Sequence, residues 1–317
     1  MRKIWLLVLV TSLAIVAAGC GGGNDEAAPP TTVEPAATAE AAATGEATAE
    51  GATGEAATAE TADECAPENL NLVNPGQLTI GTGNPAYPPW FEGGTTTDEW
   101  ELNDPANGQG FEGAVAYAVA ERLGFAPEQV TWVAVPFAKS FAPGPKDFDF
   151  VLQQISYTPK RAKAVGFSES YYESNEALVS LEGSKIAGAK SLADLKEAKL
   201  GVPVGTTSYD YVVDVIKPDQ EPAVYDDQTG AIQALENGQI DGIVVDLPSA
   251  FYITAAQLDG GVIVGQFPSV GGQRESFAMA FELDNPLIPC VNEALQEIKS
   301  DGTLDGIYQE WLADKAS

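Results

Sequence analysis

The sequence predicts an α/β protein with largely parallel sheets. Three observations lead to that class. From Gln77 onward, short apolar segments that read as strands alternate with segments whose apolar residues recur at helical spacing. Gly124, Pro136 and Pro218 punctuate the junctions between them. Hydrophobic residues make up 44% of the 317-residue chain and are spread through its last 250 or so positions, enough for substantial cores in one or two domains.

The elements follow in order. GQLTIGTG reads as a strand with Leu78 and Ile80 on one face, and FEGAVAYAVAERLGF as a helix with Val115, Ala118, Val119 and Leu123 on one stripe, ended by Gly124. VTWVAVP is a second strand closed by Pro136. In SYTPKRAK, Thr158 is placed to cap a helix, Pro159 suits its first position and Arg161 falls in its first turn. Ser191 caps a helix over LADLKEAK, and LGVPVG is a strand. A helix from Ser208 to Lys217 is stopped by Pro218, another lies around AIQALENG, and IDGIVVDL is an apolar strand. VNEALQEIKS and the stripe Leu304, Ile307, Tyr308, Trp311 complete the chain as two helices.

Ahead of these elements the chain reads as address and tether. Arg2 and Lys3, the apolar run IWLLVLVTSLAIVAA, then Gly19 and Cys20 form a secretory signal over residues 1–20. Ala17, Ala18 and Gly19 before Cys20 resemble a bacterial lipobox, although Ala17 departs from the usual Leu. That resemblance implies a lipidated Cys20 as mature N-terminus, two acyl chains sufficing for stable anchoring. A plain signal or an uncleaved anchor is the alternative. Residues 21–64 are low-complexity Ala, Thr, Glu and Gly without an aromatic, a solvated tether that would span roughly 35–40 Å root-mean-square. With Cys20 taken by lipid, Cys65 and Cys290 remain as the pair for a disulfide in an oxidising compartment.

Composition excludes several functions. The net charge is -30, of which -10 lies in residues 21–64 and -22 in residues 65–317, so nucleic acid and anionic membrane surfaces are not expected partners. The absence of histidine removes the commonest general base and metal ligand. Three widely spaced cysteines make no zinc site, and no cofactor or metal is expected.

Ligands of open parallel sheets bind outside the carboxyl ends of the strands. That rule selects the loop after LTIG, the stretch after FVLQQI, the TTS after LGVPVG, and Asp246 after DGIVV. A cation in the first turn of a helix, as Arg161 is placed, opposes the helix dipole unless an anion compensates it; a solvated surface arginine is the alternative. Thr206, Thr207 and Ser208 could converge on an anion or simply cap a helix, and Asp246 could bind a cation or cap a turn. Together a guanidinium, a set of hydroxyl and N–H donors and a carboxylate suit a zwitterion. Tyr87 and Trp90, stiffened by the prolines of NPAYPPWF, would add apolar walls, or else be buried in a structural turn.

Six motifs in this order resemble the polar amino-acid family of bacterial extracytoplasmic solute-binding proteins, the receptors of ABC importers. They are LTIGTGNPAYPPWFE, GQGFEGAVAYAVAERLGF, QQISYTPKRAKAVGFSESYYES, GVPVGTTS, ALENGQIDGIVVD and DGTLDGIYQEWL, covering about Gln77 to Leu312. The resemblance implies a two-lobed type II periplasmic-binding-protein fold, hinged by two crossing strands near Ser174–Leu181 and Gln273–Ala280. Lobe 1 would comprise 65–176 and 279–317, and lobe 2 177–278. It implies that Arg161, with Ser156, binds a ligand carboxylate, that Gly205, Thr206 and Thr207 assist, that Asp246 binds the ammonium group, and that Asn84 and Tyr87 select the side chain. Gln154 and Tyr157 replace smaller residues of the pattern, and Gly83 and Asn84 stand where members with basic ligands often have an acid, a role Glu92 or Glu112 could take.

The expected protein is therefore no enzyme but a monomeric, extracytoplasmic, lipid-anchored receptor that delivers an amino acid to ABC permease and ATPase subunits. Two other classes remain. A cyclohexadienyl dehydratase-like enzyme would need a buried acid beside the arginine, with Glu112 or Glu173 as candidates. A sensory receptor would ordinarily be joined to a membrane-spanning signalling segment.

Overall fold

The computed structural model describes residues 64–267 and 274–313. The signal sequence with Cys20, and the tether up to residue 63, lie outside the described residues.

Two five-stranded sheets organise the chain. The first contains β1 (Leu78–Thr82), β2 (Val130–Ala134), β3 (Phe150–Val151), β4 (Gly166–Ser174) and β10 (Glu275–Phe281), in the order β2-β1-β3-β10-β4. β1 runs parallel to β2 and β3, while β10 is antiparallel to β3 and β4. All five residues of β1 are buried, because the sheet is covered on both faces and neither side of the strand meets water. Helix α1 (Phe111–Arg122) lays Phe111, Val115 and Val119 into a core shared with α6 (Ile288–Ser300), which contributes Val291, Leu295 and Ile298, and α7 (Thr303–Trp311) packs Leu304, Ile307 and Trp311 against that core. Cys65 and Cys290 form a disulfide that ties the start of this lobe to α6. Asp149 accepts hydrogen bonds from the backbone N–H of Val73 at 2.8 Å and of Thr79 at 2.7 Å, fastening the entering chain to β1.

The second sheet contains β5 (Glu176–Leu181), β6 (Leu200–Pro203), β7 (Ala223–Tyr225), β8 (Gly242–Asp246) and β9 (Gly261–Phe267), in the order β7-β6-β8-β5-β9. β6 is parallel to β7 and β8, and β5 is antiparallel to β8 and β9. Two cores flank it, one against α4 (Gln228–Glu236) and α5 (Leu247–Tyr252), the other against α3 (Thr207–Tyr211). The chain passes from the first sheet to the second at Asn175, between β4 and β5, and is back in the first sheet from Glu275 onward. The sheets are thus mixed, parallel in the βαβ units and antiparallel where the chain changes lobe.

Three helices expected from sequence take other forms. After Pro159 there is a single 3-10 turn, Arg161–Lys163, because β4 starts at Gly166 and leaves no room for a second turn. Thr158 still accepts from the Arg161 N–H at 3.0 Å. No helix dipole therefore opposes Arg161, and the need for a compensating anion does not follow from one. Ser191 and Asp194 cap only a 3-10 turn, Leu192–Leu195. The helix expected from Ser208 starts at Thr207, widens into a π-helical turn at Val212–Ile216 and ends at Lys217, whose φ is +52°.

Candidate functional site

Between the sheets lies a cavity of about 490 Å³, the size of a small-molecule site. Its walls come from the loop after β1, the stretch after β3, the junction of β6 and α3, the end of β8 and the start of β10. Asn84, Tyr87, Gln154, Ser156, Thr206, Thr207, Ser208 and Asp246 all line it.

The remaining two residues singled out from sequence, Trp90 and Arg161, stand behind the wall. Trp90 is 1% exposed and packs edge-on against Phe111, Tyr172 and Phe277, while its indole N–H donates to the Ser249 hydroxyl of the other lobe at 3.0 Å. Local geometry puts it there. Gly110, at φ +89°, brings the start of α1 so close to the loop that a Cβ would lie 2.5 Å from the Trp90 carbonyl oxygen, and Glu112 N–H donates to that oxygen at 3.0 Å.

Arg161 is 8% exposed. Its Nη1 donates to Ser156 O at 2.7 Å and its Nη2 to Gly205 O at 2.8 Å, the second bond reaching across to the other lobe. The guanidinium also lies 4.3 Å from the ring centre of Phe141 and 5.6 Å from that of Phe137, the latter opening the short helix α2 (Phe137–Ser140). Burial lowers its pKa to about 10, opposed by Glu275 and Asp210, so the group is charged at neutral pH. A guanidinium has five N–H donors, of which these two bonds use two.

Carboxyl groups also gather at the cavity. Asp246 ends β8 and caps α5 by accepting from Ser249 N at 2.9 Å, so it is both cap and cavity wall. Burial raises its pKa to about 6, and Glu275 pushes the same way. Glu176, 1% exposed, is Asp246's direct partner across β5 and β8, accepts from the Ser208 hydroxyl at 3.0 Å and 3.1 Å, and is hydrogen-bonded to Glu275. Burial first, then the charges of Glu275 and Asp246, raise the Glu176 pKa well above the ordinary range. Glu275 lines the cavity and accepts from the Ser156 hydroxyl at 2.8 Å.

Glu112 is fully buried behind Gln154, accepting from both the backbone and side-chain N–H of that residue and from the Tyr171 hydroxyl. Burial pushes its pKa up to about 7. It holds Gln154 in a left-handed conformation, φ +48°, with the residue on the cavity wall. Glu173 is exposed and faces a separate groove with Tyr172, Lys299 and Tyr308. Toward the cavity mouth, Asn84 is held by Glu99 O and Glu101 N, and the Tyr87 hydroxyl meets Thr229 of the other lobe at 2.7 Å.

Sequence reasoning did not single out Glu176, Glu275, Thr229, Phe137 or Phe141. Phe137 and Phe141 had a signal, an i, i+4 aromatic pair in FAKSF. Glu176 had a weaker one, a lone acid at the head of the apolar strand EALVSL.

The chain is similar to known proteins. The profile of the bacterial extracellular solute-binding proteins, family 3, matches residues 84–314. The ABC transporter arginine-binding protein 1 of Escherichia coli (strain K12) is 31% identical over 170 residues, 53% of this chain and 67% of that one. Among solved structures, an ancestral arginine-binding protein bound to glutamine is similar with a TM-score of 0.60 and 30% identity, over 75% of this chain and 98% of that one. The ancestral amino acid-binding protein AncCDT-1, a precursor of cyclohexadienyl dehydratase, is similar with a TM-score of 0.59 and 27% identity, over 74% of this chain and 95% of that one.

Proposed function

This chain belongs to the bacterial extracellular solute-binding proteins, family 3, and from that premise we propose that it captures an amino acid between its two lobes and delivers it to an ABC importer. The observation that carries this reading is the polarity of the cavity. Thr206, Thr207 and the Asp246 carboxylate line one cavity, and the Arg161 guanidinium stands behind its wall at Gly205, the set of groups a zwitterion requires.

Arg161, set behind the wall, attracts the α-carboxylate, which Thr206 and Thr207 bind, Asp246 receives the ammonium group, and Ser156 and Ser208 complete the polar wall. Asn84, Tyr87 and Gln154 face the side chain. Trp90 acts from behind, through the bond that joins the lobes. Each charged hydrogen bond is worth on the order of 1.5–3 kcal/mol, and an empty closed site leaves those charges uncompensated, so ligand shifts the lobes toward closure. The two lobes are 65–176 with 279–317, and 177–278, except that residues 275–278 are paired to the first sheet and Glu176 to the second.

The protein works outside the cytoplasm as a monomer, held to the membrane by a lipid on Cys20 and the tether 21–64. It is no enzyme. Of the two acids a dehydratase-like site would use, Glu112 is engaged behind Gln154 and Glu173 faces away from the cavity.

Calorimetric titration of the full chain, stripped of carried ligand by unfolding and refolding, against the twenty amino acids tests the reading. Saturable binding of one chemical subset, abolished in Arg161→Ala, is expected. Folded protein that binds none of the twenty overturns it.

A further inference from the structure

The cavity has more negative charge than a zwitterion needs. Three carboxyl groups, those of Glu176, Asp246 and Glu275, form one cluster, and the charges of Glu275 and Asp246 both act on Glu176. Like charges placed directly across two strands are unfavourable, and Glu176 and Asp246 are so placed. The hydrogen bond between Glu176 and Glu275 relieves part of this, since a carboxyl and a carboxylate bond to each other only when a proton sits between them. Glu275 shares the cavity wall with Asp246, and with Asp226 and Asp227. Arg161 attracts Glu275, but among the described residues no ion pair joins Glu275 to a lysine or arginine.

We propose that Glu275 is a second anchor for the ligand's α-ammonium group beside Asp246, and that Glu176 positions it from the other lobe. This rests on the amino-acid reading above.

The donor count supports it. An ammonium group has three N–H donors. Asp246 lines the cavity, but its Oδ1 is engaged in capping α5 and the Ser249 hydroxyl bonds the same carboxylate, so it cannot by itself satisfy three donors. Glu275 supplies a second acceptor, and the Ser156 hydroxyl, which donates to Glu275 Oε2 and meets the Thr207 hydroxyl at 3.3 Å, has one lone pair left for a third. All three residues line the cavity.

Backbone structure sets the group in place. Ser156 bridges to Phe277, and Tyr157 N–H donates to Ser276 O at 2.8 Å, which holds Ser156 beside the start of β10. Glu176 starts β5, one residue after the chain changes lobe, and the Ser208 hydroxyl donates to it at the head of α3. The carboxyl pair therefore spans the joint between the lobes. When the lobes part, Glu275 stays with Ser156 in the first and Glu176 with Ser208 in the second, so the ammonium site is complete only on closure.

The test is a set of calorimetric titrations on the full chain and its Glu275→Gln, Glu176→Gln and Glu176→Leu variants, each checked for folding by circular dichroism. The probes are pairs differing only in the α-ammonium group: L-glutamine with glutaramate, L-arginine with 5-guanidinovalerate, or the corresponding pair for whichever amino acid binds. Glu275→Gln is expected to weaken the amino acid tenfold or more and the deaminated analogue less than twofold. Glu176→Gln, which can still donate to Glu275, keeps affinity within about threefold, whereas Glu176→Leu loses it tenfold or more. Equal loss for both members of a pair, no loss for either, or loss confined to L-arginine and absent for L-glutamine overturns the proposal while leaving the amino-acid reading intact. A folded wild-type chain that binds no amino acid overturns that reading and this one with it.

Discussion

The indole N–H of Trp90 donates to the hydroxyl of Ser249 at 3.0 Å, and the two residues belong to different lobes. The aromatic that sequence placed on the ligand wall is thus a fastening between the halves of the trap. Its ring is locked by Phe111, Tyr172 and Phe277, so the donor is presented without freedom to follow Ser249 when the lobes separate. Trp90→Phe keeps most of the packing and removes only the donor. A buried hydrogen bond contributes about 1 kcal/mol net, so closure and ligand affinity should each weaken by about fivefold. Small-angle scattering would show a larger mean radius of gyration without ligand, and calorimetry the affinity. Ser249→Ala should have the same effect, and the double variant little more than either alone.

Burial of Glu112 makes stability fall as pH rises. Its carboxyl pKa is about 7 in the folded chain against about 4.5 when solvated, burial being the first cause. Between those values the folded form holds a proton that the unfolded form has released, so the unfolding free energy decreases with pH across that window and levels off above it. The change amounts to about 3 kcal/mol for this group. Asp246, raised to about 6 chiefly by burial, adds a smaller change of the same sign. Urea denaturation of ligand-free protein should give a lower midpoint at pH 8 than at pH 5. Buried Glu176, raised well above the ordinary range, acts in the same sense, so Glu112→Gln, which keeps an acceptor for Gln154 and Tyr171, should shrink the difference without abolishing it.

The Cys65–Cys290 disulfide closes a loop with a sequence separation of 225 and lies in the core of the first lobe, away from the cavity walls. In the chain-entropy account such a cross-link stabilises by about 5 kcal/mol through the unfolded state. Replacing both cysteines by serine should therefore lower the urea midpoint. Ligand affinity, measured below that midpoint, should change less than twofold.

What the sequence disclosed and what it did not divides along contact range. Asp246, Thr206 and Thr207 could be placed because a strand ending in a polar residue before a helix is a local pattern, and the cavity walls do form at those strand ends. The disulfide followed from having one pair of cysteines left. Arg161 was legible as a cation in need of a compensating anion, but the helix drawn around it was not formed. What holds it comes from elsewhere in the chain, Gly205 from the other lobe and Phe137 and Phe141 from the previous loop. Glu275 and Glu176 were missed for the same reason. They are 99 positions apart, and only the return of the chain to the first sheet beside β4 brings them together.

Ligand binding should itself depend on pH through Asp246. The carboxyl has a pKa of about 6 in the empty site because burial and Glu275 both penalise its charge. Glu176 and Glu112 stand nearby, and each is raised by Asp246 in turn. An arriving ammonium group pairs only with the carboxylate, so its binding lowers the Asp246 pKa and releases a proton near pH 6. An α-ammonium group keeps its own proton throughout this range. Affinity should then rise as pH increases through 6 and level off above about 7, by up to tenfold for each unit below the plateau. Calorimetry in two buffers of different ionisation enthalpy at pH 6 should report proton release, shrinking toward zero at pH 8. Asp246→Asn would bind weakly at every pH and with a flatter profile. A steep profile surviving in that variant would assign the titration to the other carboxyl groups of the cluster instead.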